Sequence, residues 1–187
     1  MLNPACQTGQ HPHAERARDL YETPPVTVEA LLRVETLPHR IWEPAAGRGA
    51  IVKILRKHGH DVTASDIVAY DGFRLDLTAD IFTLSKAPTG VRALVTNPPY
   101  QCATAFAEHA LDLVPQVFLL LRLAFLESVG RTRILEASGL RAVHVFRSRL
   151  PMMHRDGWDG PRASSALPFA WFCWSRGYGG PTTVSRI

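Results

Sequence analysis

Long apolar runs are missing from this 187-residue chain. A helix that spans a bilayer needs about eighteen or more apolar residues in succession, and Val117–Leu121 falls far short, so no membrane association is expected. The first residues lack the basic-then-apolar pattern of a secretory signal. Cysteine is scarce: Cys6, Cys102 and Cys173 are odd in number and widely spaced. That argues for a reducing, cytoplasmic compartment and against a disulfide framework or a zinc site, and no metal is expected. Internal repeats and low-complexity tracts are absent too, which excludes solenoids and arrays.

The composition is otherwise that of a globular protein, 46% apolar and 20% charged. Such a length predicts a single domain over 21–187, preceded by a flexible lead-in at 1–20 that holds His11 and His13. The net charge of +4 is unevenly placed. Residues 1–120 carry 11 Lys+Arg against 13 Asp+Glu; residues 121–187 carry 10 arginines, no lysine and 4 acids. Arginine forks suit phosphate oxygens, so the basic third, with Arg141, Arg147, Arg149, Arg155, Arg162 and Arg176, is the better candidate for a nucleic-acid face.

Strand and helix signals alternate along the chain. His39–Trp42, Asp61–Ser65, Val91–Thr96, Val117–Leu121, Ala142–Phe146 and Phe169–Trp174 read as strands, and Thr182–Ile187 as a last extended segment. Helices are expected over Val26–Leu32, capped by Thr27, after Gly49, over Gln101–Val114 and over Thr132–Ser138. Between 67 and 90 the pattern is weak, with one short element near Phe73–Leu75. A Pro-, Gly- and Asp-rich loop occupies 151–163. The alternation predicts a mostly parallel α/β sheet. Trp171 and Trp174, on a strand, read as core residues rather than stacking platforms.

The most informative residues are Asn97-Pro98-Pro99-Tyr100, at the end of a buried-looking strand. Two prolines remove two backbone donors and stiffen the exit from the sheet. The turn therefore presents an amide oxygen, a backbone carbonyl and a flat ring at the strand's carboxyl end, where α/β sheets bind ligands. Two acceptors suit an NH2 group, and the ring can stack on a planar heterocycle. A strand-stopping turn is the plain alternative. Upstream, Glu43-Pro44-Ala45-Ala46-Gly47-Arg48-Gly49 has glycines where a backbone must pass close to a ligand between strand and helix. Asp66, 23 residues beyond Glu43, stands where nucleotide sites hold ribose hydroxyls.

On these residues the chain resembles the S-adenosylmethionine-dependent amino-methyltransferases. It is most similar to the DNA adenine-N6 enzymes, in a small form without a separate target-recognition domain. The resemblance covers about residues 20–125, and more loosely the C-terminal hairpin. It implies a Rossmann-like class I methyltransferase fold with a C-terminal antiparallel hairpin, S-adenosylmethionine as cofactor and DNA as partner, the adenine flipped out or single-stranded. A separate specificity protein is a further expected partner.

The resemblance also assigns roles. Asn97, Pro98, Pro99 and Tyr100 form the catalytic turn, with Asn97 also near the cofactor. Glu43, Pro44, Ala45, Gly47 and Gly49 hold the methionine portion. Asp66 holds the ribose, Ile67 flanks the adenine, and Phe82 is a further cofactor-binding residue. Asp80, with Asp76 as the competing choice, meets the adenine amine. Tyr21, Thr23 and Pro24 close over the methionine end. Other readings stay open: a cytosine-N4 DNA enzyme, an RNA guanine-N2 or protein glutamine methyltransferase, or a cofactor-binding nucleic-acid-binding module without catalysis.

Overall fold

A computed structural model of the chain describes residues 22–151 and 166–187. The expected lead-in, Tyr21, Arg155, Arg162 and nearly all of the 151–163 loop lie outside the described residues. The central strands form where apolar and β-branched residues can be buried on both faces, and the two edge strands are exposed. They are β1 (Arg40–Glu43), β2 (Asp61–Asp66), β3 (Leu77–Thr78), β4 (Ala93–Thr96), β5 (Gln116–Arg122), β6 (Leu140–Val145), β7 (Phe169–Ser175) and β8 (Thr183–Arg186). They make one sheet in the order β3-β2-β1-β4-β5-β7-β6-β8. The left half is parallel throughout. β7 runs antiparallel between β5 and β6, and β8 adds a parallel edge to β6. This is the Rossmann-like class I methyltransferase fold, with the antiparallel hairpin where it was expected.

Among the described residues, four helices cover the sheet: α1 (Pro25–Val34), α2 (Ala50–Lys57), α3 (Ala103–Leu113) and α4 (Thr132–Glu136). Val28 and Leu31 of α1 and Ile51 and Leu55 of α2 pack with Ile41, Val95 and Trp171 on one face. Phe106 and Ala110 of α3 pack with Trp42, Leu94 and Trp174 on the other. Both strand tryptophans of β7 are core residues, as their context predicted, because successive side chains of a strand point to opposite faces. Each buried indole has an acceptor: Trp42 meets Ser65 Oγ (2.8 Å), Trp171 the Thr27 carbonyl (2.9 Å) and Trp174 the Ile134 carbonyl (2.7 Å). Among the described residues, no helix is long and apolar enough to cross a membrane.

Three local expectations need correction. Thr27 does not cap α1: Pro24 holds the cap position, and Pro25 begins the helix, where a missing N–H costs nothing. Thr27 is buried inside the first turn. The stretch Phe73–Leu75 is irregular, and the strand lies just beyond it, at β3. Only two residues long and exposed, β3 leaves no periodic trace in the sequence. The helix expected from Gln101 starts at Ala103, after a short 3-10 turn over Tyr100–Cys102.

A polar network sits where α1 meets the right half of the sheet. Glu35 caps the carboxyl end of α1 and is nearly buried. Its Oε1 pairs with His144 Nε2 at 2.6 Å and its Oε2 with Arg141 at 2.5 Å, while His144 Nδ1 meets Ser185 Oγ at 2.6 Å. One carboxylate thereby ties a helix to β6 and, through His144, to β8. Burial alone would raise the Glu35 pKa, but the His144 and Arg141 bonds outweigh it and hold the carboxyl below its ordinary 4.5. Cys173 lies beside this group, its thiol pushed well up by burial. The basic third is likewise partly structural. Arg176 donates to the carbonyls of Leu111, Asp112 and Val114, closing the carboxyl end of α3.

Glu35→Ala should cost about 3 kcal/mol at neutral pH, because it removes the nearly buried carboxylate that both Arg141 and His144 bond. The contribution of this group is complete above pH 4.5 and is lost as the pH falls through its lower folded value. Chemical denaturation of wild type and variant over that acid range should therefore show the two stabilities converging. A constant gap would contradict an ionic role for Glu35.

Candidate functional site

The strand order reverses between β1 and β4, so the connections after them diverge and leave a crevice at their carboxyl ends. Glu43 ends β1, and Asn97 follows the last residue of β4. Thr96 Oγ1 donates to Glu43 Oε1 at 2.8 Å across the two strands, in a place fully closed to solvent. Glu43 Oε2 has no hydrogen-bond partner. Burial raises the Glu43 carboxyl well above its ordinary range; the Thr96 bond opposes this, and the nearby Asp66 adds to it. A buried, uncompensated carboxyl at the head of a crevice wants a donor or a cation.

The loop from β1 into α2 bends over this carboxyl. Gly47 (φ +52°) and Gly49 (φ +75°) both take the left-handed conformation that glycine tolerates. A Cβ on Gly49 would also strike the Phe73 ring, within 2.2 Å of it. The Gly47 N–H donates to Asp66 Oδ2 at 2.8 Å, and the Val68 N–H to Oδ1 at 3.2 Å. Asp66, at the end of β2, is thus the strut that sets the loop. Burial raises its pKa despite those backbone bonds. The next residue, Ile67, is 45% exposed.

A small cleft opens here, lined by Thr23, Glu43, Ala45, Gly47, Ile51 and Asn97 among others. Five of the ten lining residues, Thr23, Glu43, Ala45, Gly47 and Asn97, are ones that the sequence singled out, drawn from three separate segments. Asn97 Nδ2 donates to Thr23 Oγ1 at 3.2 Å, which fixes the amide and ties the segment before α1 to the tetrad. Pro24 begins α1 beside Thr23, and Pro44 is buried behind the loop. Pro98 is buried, Pro99 exposed. Tyr100 is half-buried, with its ring centroid 5.9 Å from that of Phe169 and the Arg122 guanidinium 4.7 Å above it.

The two aspartates left open by the sequence differ in place. Asp76 Oδ2 accepts from the Ala64 N–H (2.8 Å) and from Arg56 (3.1 Å), so it braces β2 against β3. Asp80 follows β3, and its Oδ1 accepts from the Phe82 N–H (3.0 Å), starting a 3-10 turn. The Phe82 ring packs on Phe106 and His109, which sets this turn against α3. Sequence reasoning missed Thr96 and Arg122. Thr96 carried a signal, as the one hydroxyl in a buried strand directly before the tetrad. Arg122 is far from the tetrad in sequence and carried none.

No family model matches the chain, and no curated protein matches it by sequence. Solved structures do match. A protein of Pyrococcus horikoshii designated an RNA methyltransferase superposes with a TM-score of 0.60 at 13% identity, covering 89% of this chain and 91% of that one. The modification subunit of a protein designated a type I restriction enzyme of Vibrio vulnificus also gives 0.60, at 12% identity. There the match covers 90% of this chain but only 47% of the other. The magnesium protoporphyrin IX methyltransferase of Synechocystis, solved with bound S-adenosylmethionine, gives 0.52 at 14% identity, covering 82% and 79%. At these identities the likeness establishes the fold.

Glu43 offers a direct test of the site's electrostatics. Its folded carboxyl titrates above the ordinary 4.5, so the fold is penalised as the pH rises past that value, and fully so above the raised one. Glu43→Gln keeps an acceptor for Thr96 and removes the charge. Its Tm should exceed that of the wild type, by more in alkaline than in mildly acidic buffer. A variant less stable at every pH would show that the acid is compensated within the protein.

Proposed function

We propose that this chain transfers a methyl group from S-adenosylmethionine to the exocyclic N6 amine of adenine in DNA. One observation carries the reading: Asn97 of the Asn-Pro-Pro-Tyr turn lines the same crevice as Glu43 and the glycine loop. The unpartnered Glu43 Oε2 fits the cationic amino end of that cofactor, and Asp66 fits its ribose hydroxyls. Ile67 and Phe82 would bound the adenine, and Asp80, which accepts one turn N–H where Asp76 accepts both a strand N–H and Arg56, would meet its amine. Thr23 and Pro24, tied to Asn97, would close over the methionine end. When bound, S-adenosylmethionine supplies an electrophilic methyl group on a sulfonium centre.

The chain's own residues then have the harder task of making a poor nucleophile react. An adenine amine is weak because its lone pair is delocalised into the ring. The Asn97 side-chain oxygen and the Pro98 carbonyl, accepting from its two hydrogens, would favour a pyramidal nitrogen. The positive charge that develops there falls beside fixed dipoles, which is where preorganised groups lower a barrier most. Alignment in the crevice supplies much of the rest. Tyr100 is the stacking surface for the target base. No strong base is required, since the nitrogen becomes acidic once methylated.

The Pyrococcus neighbour's designation favours a second reading, amino-methylation of RNA. The two share the crevice chemistry and differ only in the polymer. Reading of a target sequence would fall to residues beyond the sheet or to a partner protein.

Asn97→Ala should lower methyl transfer by about a hundredfold, the scale of losing one preorganised polar group, while S-adenosylmethionine affinity holds. Transfer of labelled methyl to pools of DNA, RNA and protein, with calorimetry for the cofactor, reads both quantities. Wild-type transfer by the variant would reduce the tetrad to a structural turn, and labelling of RNA alone would favour the second reading. Asp66→Ala should weaken cofactor binding by about 1.5–3 kcal/mol, the scale of hydrogen bonds to a charged group. An unchanged Kd in a folded variant would remove Asp66 from the site.

A further inference from the structure

A segment outside the crevice is anchored at one end on the tetrad and at the other on α3. Residues 122–131 leave β5 through two 3-10 turns, Leu123–Leu126 and Val129–Arg131. At one end, the Arg122 guanidinium lies over the Tyr100 ring. At the other, Arg131 Nε donates to Thr104 Oγ1 at 3.0 Å, in the first turn of α3, directly after the tetrad. Arg131 also donates to the Phe125 and Glu127 carbonyls (3.2 and 2.7 Å) and sits 4.5 Å over the buried Phe125 ring.

The crest between these anchors is strained and apolar. Among the described residues, Ser128 alone takes a positive φ without being glycine, at +125°. It is held there by the Gly130 N–H on its Oγ (3.2 Å) and the Arg131 N–H on its carbonyl (3.1 Å), while Thr132 Oγ1 donates to the Val129 carbonyl (2.8 Å). On this fixed turn Val129 is 91% exposed and Leu126 41%. Strain and apolar exposure both oppose folding, and the hydrogen bonds that hold the turn leave its apolar side chains in water. A loop so stiff yet so exposed has already lost the freedom that a binding event would otherwise remove.

We propose that this crest is a wedge for duplex nucleic acid: Val129 and Leu126 enter the base stack beside the target and fill the space of the extruded nucleotide. The inference rests on the reading above, that the tetrad acts on a nucleobase. An amine inside a duplex is out of reach until its base leaves the stack. Apolar side chains driven between base steps are a known physical means of unstacking them. The first residue of the segment, Arg122, lies over the Tyr100 ring, so the chain runs from the proposed stacking residue into the crest. Exposed Arg122 and Arg133 flank the crest and can meet phosphates, and Glu127 is the one acid between them.

The test compares wild type with Leu126→Ser/Val129→Ser on the same unmethylated genomic DNA, native and heat-denatured. The readout is transfer of labelled methyl. The wedge predicts a loss of about tenfold or more in kcat/KM on native DNA, reflecting the cost of unstacking, with little change on denatured DNA. Equal activity on native DNA, or equal losses on both forms, would overturn it. So would a wild type active only on denatured DNA, which would leave the tetrad reading intact. If the substitutions instead convert a dimer to a monomer in light scattering, the crest joins two copies of this chain and the wedge is wrong. A wild type that labels neither DNA overturns the adenine reading and the wedge together.

Discussion

Thr96 donates to Glu43 at the point where two adjacent parallel strands begin to diverge. That bond holds a carboxyl group in a place from which water is excluded. Everything in the crevice is arranged around the consequence. The glycine loop must curve over the acid without adding side-chain bulk, which is why its two left-handed positions are glycines. Asp66 must brace that loop from the next strand. The tetrad must leave the sheet at once, so that Asn97 lines the same cleft as the acid. The proline pair enforces the departure by removing two donors that a longer β4 would have used.

Two buried glutamates of this protein shift in opposite directions, and the contrast separates architecture from function. Glu35 is nearly enclosed, but Arg141 and His144 satisfy both of its oxygens, so it titrates low and fastens a helix to the sheet. Glu43 is enclosed with one oxygen bonded and the other bare, so it titrates high. A fold gains nothing from the second arrangement on its own. Perturbed carboxyls of that kind gather where a ligand completes the charge balance.

Much of the fold was legible because the central strands are buried on both faces and appear as apolar runs; β1, β2, β4, β5, β6 and β7 all lie within a few residues of where periodicity put them. β3 was not, since two exposed residues carry no pattern. The start of α1 was misread because Thr27 looks like a cap, whereas the preceding prolines already define the first turn. In the crevice, the glycine loop, Asp66 and the tetrad were legible as local motifs. Thr96 and Arg122 were not read, because their roles arise from neighbours across the sheet. The basic third was read too simply: charge counts do not reveal that Arg131, Arg141 and Arg176 are bonded into the fold.

The position of β7 has a consequence for the order of assembly. Its residues pair with β5 in a register that joins Gln116 to Ser175 and Arg122 to Phe169. Every one of these contacts spans a long stretch of chain, and such pairings form late because loop closure must come first. Until then the apolar strand Val117–Leu121 is an open edge, able to pair with the same strand of another nascent molecule. The half of the protein that carries the crevice can therefore take shape while its sheet is still incomplete. Yield on refolding should be governed by how quickly β7 arrives, more than by anything at the site.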